Sequence, residues 1–320
     1  MKKWLGLLLC ACTPMVAFEG DCFLPQPSCL YWVSGDFLYW KAFQGGMEYA
    51  DTFDPLSGGL GQSDAKELHF DFAPGFRVEG GFLTRTWDMA LNYTFFYTKA
   101  KKSSDGILFP SLNYFGSPDG GLSFVTSAKA DWHLRFQYVD VDFGRPIWFG
   151  CALALHPHVG IRGAWIDQKA TVTYNGGSII AGSFIIDIKN DFWGVGIKGG
   201  LDTRYQLGCI SLFGNFAASI LGGQFCVRQV QDQSGLEVIN LHETHRRINP
   251  SVQCALGIAW EEELCWPWPM LFALSAAAEG QYWWRQNHIE RFTSVEFPIH
   301  VSQEYDLGML GLTLRGDLYF

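Results

Sequence analysis

The chain has 320 residues, of which 48% are apolar, 16% aromatic and only 17% charged, with a formal net charge of −9. A charged share well below the usual ~25% argues against a disordered chain and against an ordinary soluble helical protein. The acidic excess, without any basic run, argues against a nucleic-acid partner.

The N-terminus reads as an export signal: Lys2 and Lys3 precede the apolar run "WLGLLLCAC", and Ala17 can end a cleavage site before Phe18. Residues 1–17 are therefore assigned to a signal peptide, 18–30 to a periplasmic segment and 31–320 to the folded body. Lipoprotein processing at Cys12 of "LCAC" is the alternative. Further along, the longest candidate for a membrane helix is "MLFALSAAA", far short of the ~20 residues a spanning helix needs. A membrane form of this chain would have to be a closed barrel, because only helices and barrels satisfy every backbone group in hydrocarbon.

A period of two runs along the whole chain, as expected for strands with two unlike faces. In "WDMALNYTFFYT" the odd positions Trp87, Met89, Leu91, Tyr93, Phe95 and Tyr97 are large and apolar, and the even ones are small or polar apart from Phe96. In "FDFAPGFRVEGGF" Phe70, Phe72, Phe76, Val78 and Phe82 oppose Asp71, Gly75, Arg77, Glu79 and Gly81. The same holds in "FGCALALHPHVGIRGAW", "WGVGIKGGLDTRY" and "LGLTLRGDLYF". "ADWHLRFQYVDVDFG" changes phase between Tyr138 and Val139, which predicts a β-bulge there.

Ten strands are predicted, at 31–43, 68–84, 86–100, 127–144, 148–168, 186–206, 209–227, 247–262, 269–287 and 304–320, with twelve as the alternative count. Short connections (84–87, 144–148, 206–209, 262–269) alternate with long ones (44–67, 101–126, 169–185, 228–246, 288–303). An even strand count with short turns at one end and long loops at the other is the pattern of an outer-membrane barrel. The predicted fold is thus an all-β, transmembrane, antiparallel up-and-down barrel in the outer membrane of a Gram-negative-type bacterium. "ATVTYNGGSIIAGSFIID" adds a possible hairpin above the membrane, turning at "NGG". On this map Trp32, Trp87, Trp148, Trp260, Trp266 and Trp268 form a periplasmic aromatic girdle, and Trp40, Trp132, Trp165, Trp193, Trp283 and Trp284 an outer one. The last strand carries Gly316, Leu318 and Phe320 on its apolar face, the pattern of a barrel-assembly signal, and must pair with the first strand to remove both edges.

"GDFLYWKAFQGGMEYA", "APGFRVEGGF", "HPHVGIRGAWIDQ", "FWGVGIKGGL" and "EGQYWWRQ", in that order and followed by Phe320, resemble the major-outer-membrane-protein-like barrels of chlamydia-related bacteria and Legionella. The resemblance spans nearly the whole mature chain. It implies an abundant surface barrel with porin-like behaviour and supplies no catalytic residues. It also implies disulfide cross-linking to itself or to other envelope proteins.

The polar phases collect Arg77, Glu79, Asp131, Arg135, Arg162, Lys198, Asp202, Arg204, Glu279, Arg285, Arg315 and Asp317, together with His156 and His158. These are the candidate pore-lining residues. The function expected is a porin-like narrow path for small hydrophilic solutes or ions; the alternative is that the charges pair and plug the lumen, leaving a structural or adhesin barrel, since ten strands lie near the closed end of barrel sizes. No metal or cofactor is expected: His156 and His158 share a face, but no third ligand follows at ligand spacing. The rim candidates His242, Glu243 and His245, and His69 with Asp71, lack an evident base, so no enzyme is expected. Seven cysteines remain after the signal, among them Cys22 and Cys29, which can close a small loop before the first strand. The partners expected are the lipid bilayer, the barrel-assembly machinery and disulfide-linked envelope neighbours.

Overall fold

The alternation of the sequence becomes thirteen strands in one sheet, seen in a computed structural model that describes residues 30–53, 63–84, 86–112, 124–150, 152–179, 182–266, 268–292 and 300–320. In chain order they are β1 (Leu30–Gln44), β2 (Glu48–Phe53), β3 (Ser63–Glu67), β4 (Ala73–Leu83), β5 (Asp88–Pro110), β6 (Val125–Gly144), β7 (Ile147–Phe149) and β8 (Leu153–Asn175). There follow β9 (Ser183–Leu207), β10 (Ile210–Gln233), β11 (Leu236–Trp266), β12 (Trp268–Phe292) and β13 (His300–Tyr319).

Ten of these close into an antiparallel ring, each pairing with its neighbours in the order β1-β4-β5-β6-β8-β9-β10-β11-β12-β13. They match the ten strands expected from the sequence. The seam between β13 and β1 runs without interruption from Trp32↔Tyr319 to Gln44↔Leu307. Tyr31 and Phe320 then exchange two backbone hydrogen bonds of 2.9 Å. Closure gives every ring strand two hydrogen-bonded neighbours, as a bilayer requires. β2 and β3 lie outside the ring as a small extension at the edge of β5, and β7 pairs only with β8.

Several ring strands far exceed the ~9–11 residues that cross a bilayer: β8 has 23 residues, β9 25 and β11 31. The expected long loops between β8 and β9 and between β10 and β11 are therefore mostly strand. The second ends in a tight turn at Ser234 (φ 55°) and Gly235 (φ 89°), a backbone that suits the twist of a hairpin. "NGG" does form a turn, with Gly176 and Gly177 both at positive φ, but it joins extensions of β8 and β9 and creates no separate hairpin.

No bulge is found between Tyr138 and Val139. β6 stays in register with β5 from Asp88↔Gly144 to Asp105↔Ser127, and with β8 over the same stretch. From Ala128 on its even residues point inward: Trp132, Leu134, Phe136 and Tyr138 are buried, and so is Asp140. What changes at Tyr138 is the chemistry of the interior. Near the short-turn end, periplasmic in bacterial barrels, outward residues are apolar and inward ones polar. Beyond the bilayer the outward residues become polar and the inward ones form an apolar core, as in a soluble protein.

The tryptophans divide accordingly. Trp87, Trp148 and Trp260 are exposed toward the short-turn end, and Trp165, Trp193 and Trp284 at the outer boundary. Trp40, Trp132 and Trp283 are not part of the outer girdle: they are buried inside the barrel, and Trp32 also faces inward, donating to Glu79 Oε1 at 3.3 Å. The side chains of Trp266 and Trp268 lie outside the described residues.

Candidate functional site

The interior of the ring is the candidate site, and it is built in layers. At the short-turn end a cavity of about 400 Å³ is lined by polar side chains including Glu79, Asp88, His156, His158, Asp202, Arg204, Arg315 and Asp317. Each comes from the inward phase of a ring strand, so strand alternation alone aims it into the lumen.

Above this vestibule the charges pair. Arg77 of β4 donates to Asp36 Oδ2 of β1 at 3.0 Å and to Glu279 Oε1 of β12 at 2.6 Å, while Thr313 donates to Glu279 Oε2 at 2.8 Å. In the vestibule wall itself Arg315 holds Glu79 at 3.0 Å and Asp317 at 2.6 Å. On the other wall Arg162 of β8 grips both oxygens of Asp140 of β6 at 2.7 Å, and Lys198 of β9 reaches Asp140 at 2.8 Å and Asp142 at 2.7 Å. Tyr138 bridges the two groups: its hydroxyl accepts from Arg77 Nη2 at 3.2 Å, and the Arg162 guanidinium lies 4.4 Å from its ring centre. Arg162 is 1% exposed and Asp140 is fully buried. Charges so buried are tolerable only because each has an opposite partner.

The next layer is aromatic. Trp40 packs on Phe96 at 5.7 Å between ring centres, and Phe136 packs edge-on against Trp283 at 5.4 Å. Leu134, Ile166 and Phe192 fill the space around them. Phe96, the exception to alternation in its strand, is thereby explained: it lies at the level where the inside turns apolar.

The outer mouth is crossed by part of the wall itself. Pairing of β12 with β11 ends at Ser251↔Trp283, the β12–β13 register jumps between Trp283 and Asn287, and Arg285 takes φ 50°. The following residues lean across the opening. The carbonyl oxygen of Gln286 accepts from Gln168 of β8 at 3.4 Å and from Asn190 of β9 at 3.2 Å, while Asn287 donates to the Gly45 carbonyl at 3.1 Å. His288 is fully buried, its ring centre 4.5 Å from that of Phe225 of β10. Burial, then the nearby Arg247 and His245, push its pKa down to about 4.

Of the residues expected in the lumen, Arg77, Glu79, His156, His158, Arg162, Lys198, Asp202, Arg204, Glu279, Arg315 and Asp317 face inward. Three do not. Asp131 and Arg135 are odd residues of β6 and lie on the outside beyond the bilayer, where Lys101 pairs with Asp131 and Arg135 with Asp167. The bulge inferred from the phase change had assigned them to the wrong face. Burial works against ionisation of Asp131, but the hydrogen bond from Lys101 and the charges of His133, Lys101 and Lys129 outweigh it and hold its pKa below the usual value. Arg285 sits at the register break with its side chain exposed, 3.6 Å from Glu304. The sequence reading missed Asp36, Asp88, Asp140 and Asp142, the partners that neutralise the lumen. The alternation in "VDVDFG" was the signal for two of them.

His242 and His245 lie on β11, so a spacing of three puts them on opposite faces: His242 is exposed, while His245 turns inward beside Glu243 at 2.8 Å. Cys22 and Cys29 fall outside the described residues. Cys209, Cys226 and Cys254 are free thiols, with Cys209 exposed at a short turn and Cys254 exposed on the outward face of β11.

The sequence model of one family, described as the Legionella pneumophila major outer membrane protein precursor, matches residues 23–320. No curated protein matches the chain. Among solved structures, the outer membrane protease OmpT of Escherichia coli is similar at 11% identity and a TM-score of 0.40, covering 94% of this chain and 99% of its own. The attachment invasion locus protein Ail of Yersinia pestis is similar at 9% identity and a TM-score of 0.27, covering 92% and 100%. A FadL homologue of Pseudomonas aeruginosa is similar at 8% identity and a TM-score of 0.27, covering 92% and 90%.

Proposed function

Because the chain belongs to the Legionella pneumophila major outer membrane protein family and forms an outer-membrane β-barrel, we propose that it serves as a sealed structural barrel of the cell envelope that raises a rigid β-tower above the lipid. The observation that carries this reading is the succession of groups along the axis: the paired Arg162–Asp140–Lys198 and Asp36–Arg77–Glu279 groups, the aromatic layer above them and the leaning β12 segment. A barrel of ten strands is close to the size that side chains alone can fill. Its working partners in this reading are the bilayer, the assembly machinery that recognises the β13 face of Gly316, Leu318 and Phe320, and envelope neighbours linked through a thiol such as Cys209. It performs no catalytic step.

A second reading, a narrow diffusion channel for small hydrophilic solutes or ions, draws on the vestibule and on the register break that lets β12 lean inward. In it the described conformation is the closed one. Planar-bilayer recording separates the two. Folded wild-type barrel is expected to give no channel events across a range of voltages, whereas shortening the leaning segment to a tight turn is expected to leave the ion-paired layer still blocking. Sustained single-channel currents from the wild type would overturn the sealed reading in favour of the channel.

A further inference from the structure

The vestibule contains a group of side chains to which neither reading gives a ligand of its own. We propose that His156, His158 and Asp202, backed by Asp88, form a binding site for a divalent transition metal of the zinc class at the periplasmic mouth of the barrel.

The fold supplies what the spacing of the two histidines lacks. Asp202 lies on β9, directly opposite His156 of β8 in the register, and its side chain falls between the two imidazoles. Asp202 Oδ2 is 3.2 Å from His156 Nδ1 and 3.4 Å from His158 Nδ1. Ligands held ~2.0–2.1 Å from a tetrahedral zinc ion are separated from one another by roughly 3.3 Å. The two nitrogen–oxygen separations thus already match edges of a coordination tetrahedron, and all three ligand atoms lie within 4.8 Å of one another. His158 Nδ1 is buried and has no hydrogen-bond partner, although Asp202 is near.

The surroundings fit a metal as well. His156 Nε2 lies 2.7 Å from Asp88 Oδ2 of β5, the carboxylate–histidine pairing that orients metal-bound imidazoles. Two glycines make room for the rings. A Cβ on Gly144 would stand 2.1 Å from His156 Nε2, and one on Gly200 2.4 Å from His158 Nε2. The cluster faces the 400 Å³ cavity, so a water molecule can reach a fourth position. The donor set of two imidazoles and one carboxylate suits zinc and its neighbours in the first transition row, not calcium or magnesium, which prefer all-oxygen sites. The metal would tie β8 to β9 and, through Asp88, to β5.

The test is metal titration of the folded barrel in detergent after removal of bound metal with a chelator, using Co²⁺ as a coloured probe and Zn²⁺ as competitor. One equivalent of Co²⁺ is expected to give the intense visible bands of a low-coordinate site, and Zn²⁺ to abolish them. Asp202→Asn and His158→Gln are each expected to weaken uptake about 100-fold or more, and Asp88→Asn by ~10–100-fold, as loss of an outer carboxylate does. His245→Gln, at the opposite mouth, is expected to leave it unchanged. A wild type with no saturable site, or uptake indifferent to Asp202→Asn and His158→Gln, overturns the proposal. Should those variants fail to fold, X-ray absorption of zinc-loaded wild type decides: two imidazoles in the shell support the site, and a shell of oxygens alone overturns it.

Discussion

Trp165 and Ile166 are consecutive on β8 and face opposite media: Trp165 is 44% exposed on the outer wall, and Ile166 is fully buried inside. Two residues nearer the short-turn end on each face, Gly163 lies outside and Ala164 inside. Two residues further out stand Asp167, paired with Arg135, and Gln168, buried beneath the leaning β12 segment. The strand has not changed its facing. The medium outside has changed from lipid to water, and the interior from charged to apolar.

This boundary predicts opposite costs for one kind of substitution. Ile197→Arg, on the outward face of β9 and 71% exposed to lipid, is expected to destabilise the folded barrel by ~2–4 kcal/mol, the depth-dependent cost of a cation in the bilayer midplane. Thr173→Arg, outward on the projecting part of β8, is expected to change stability by no more than about 0.5 kcal/mol. Urea titration in lipid vesicles, followed by tryptophan fluorescence, measures both.

The ion-paired layer predicts a similar contrast. Arg162→Met leaves Asp140 buried with Lys198 alone and is expected to cost about 3–5 kcal/mol, the usual penalty for breaking a buried pair. Arg135→Met, which loses only the exposed pair with Asp167, is expected to cost at most ~1 kcal/mol. Comparing urea midpoints of the two variants checks the layer directly, since both replace an arginine on a β-strand by the same residue.

Acid should loosen the outer mouth. Burial holds His288 neutral in the folded protein, with a pKa of about 4, whereas in the unfolded chain it protonates near ~6.5. Between those values the unfolded state binds more protons. The contribution of His288 is therefore fully present above about pH 6.5 and is lost as pH falls toward 4. Stability measured at pH 7.5 and 4.5 should differ less in His288→Phe than in wild type. An equal difference in the two proteins would show that other groups carry the acid sensitivity.

Close approach of strands sets a fourth expectation. A Cβ on Gly196 of β9 would stand 1.9 Å from the carbonyl oxygen of Ile220 and 2.6 Å from the Cα of Leu221, both backbone atoms that cannot rotate away. Gly35 of β1 has nothing within 4 Å of the same position. Gly196→Ala is expected to cost ~1–3 kcal/mol through overpacking, and Gly35→Ala to be tolerated. The fraction of heat-resistant, fast-migrating barrel on a gel reports the difference.

The period of two carries the architecture because lipid and lumen demand unlike side chains on alternate residues of every strand. That is why the ten ring strands, their closure through Phe320 and the inward aim of Arg77, Arg162, Lys198 and Glu279 could be read from the order of residues alone. The projecting part of the barrel was not legible in the same way. There the apolar side is the inner one, so Trp40, Trp132 and Trp283 look like lipid-facing residues until the pairing shows them packed inside, and Asp131 and Arg135 look like lumen residues although they are outside. Which charges neutralise one another, how β12 leaves the wall after Trp283, and how Asp202 comes to lie between His156 and His158 were settled by the tertiary structure alone. These contacts join residues tens to hundreds of positions apart, and only the register and curvature of the closed ring determine which of them meet.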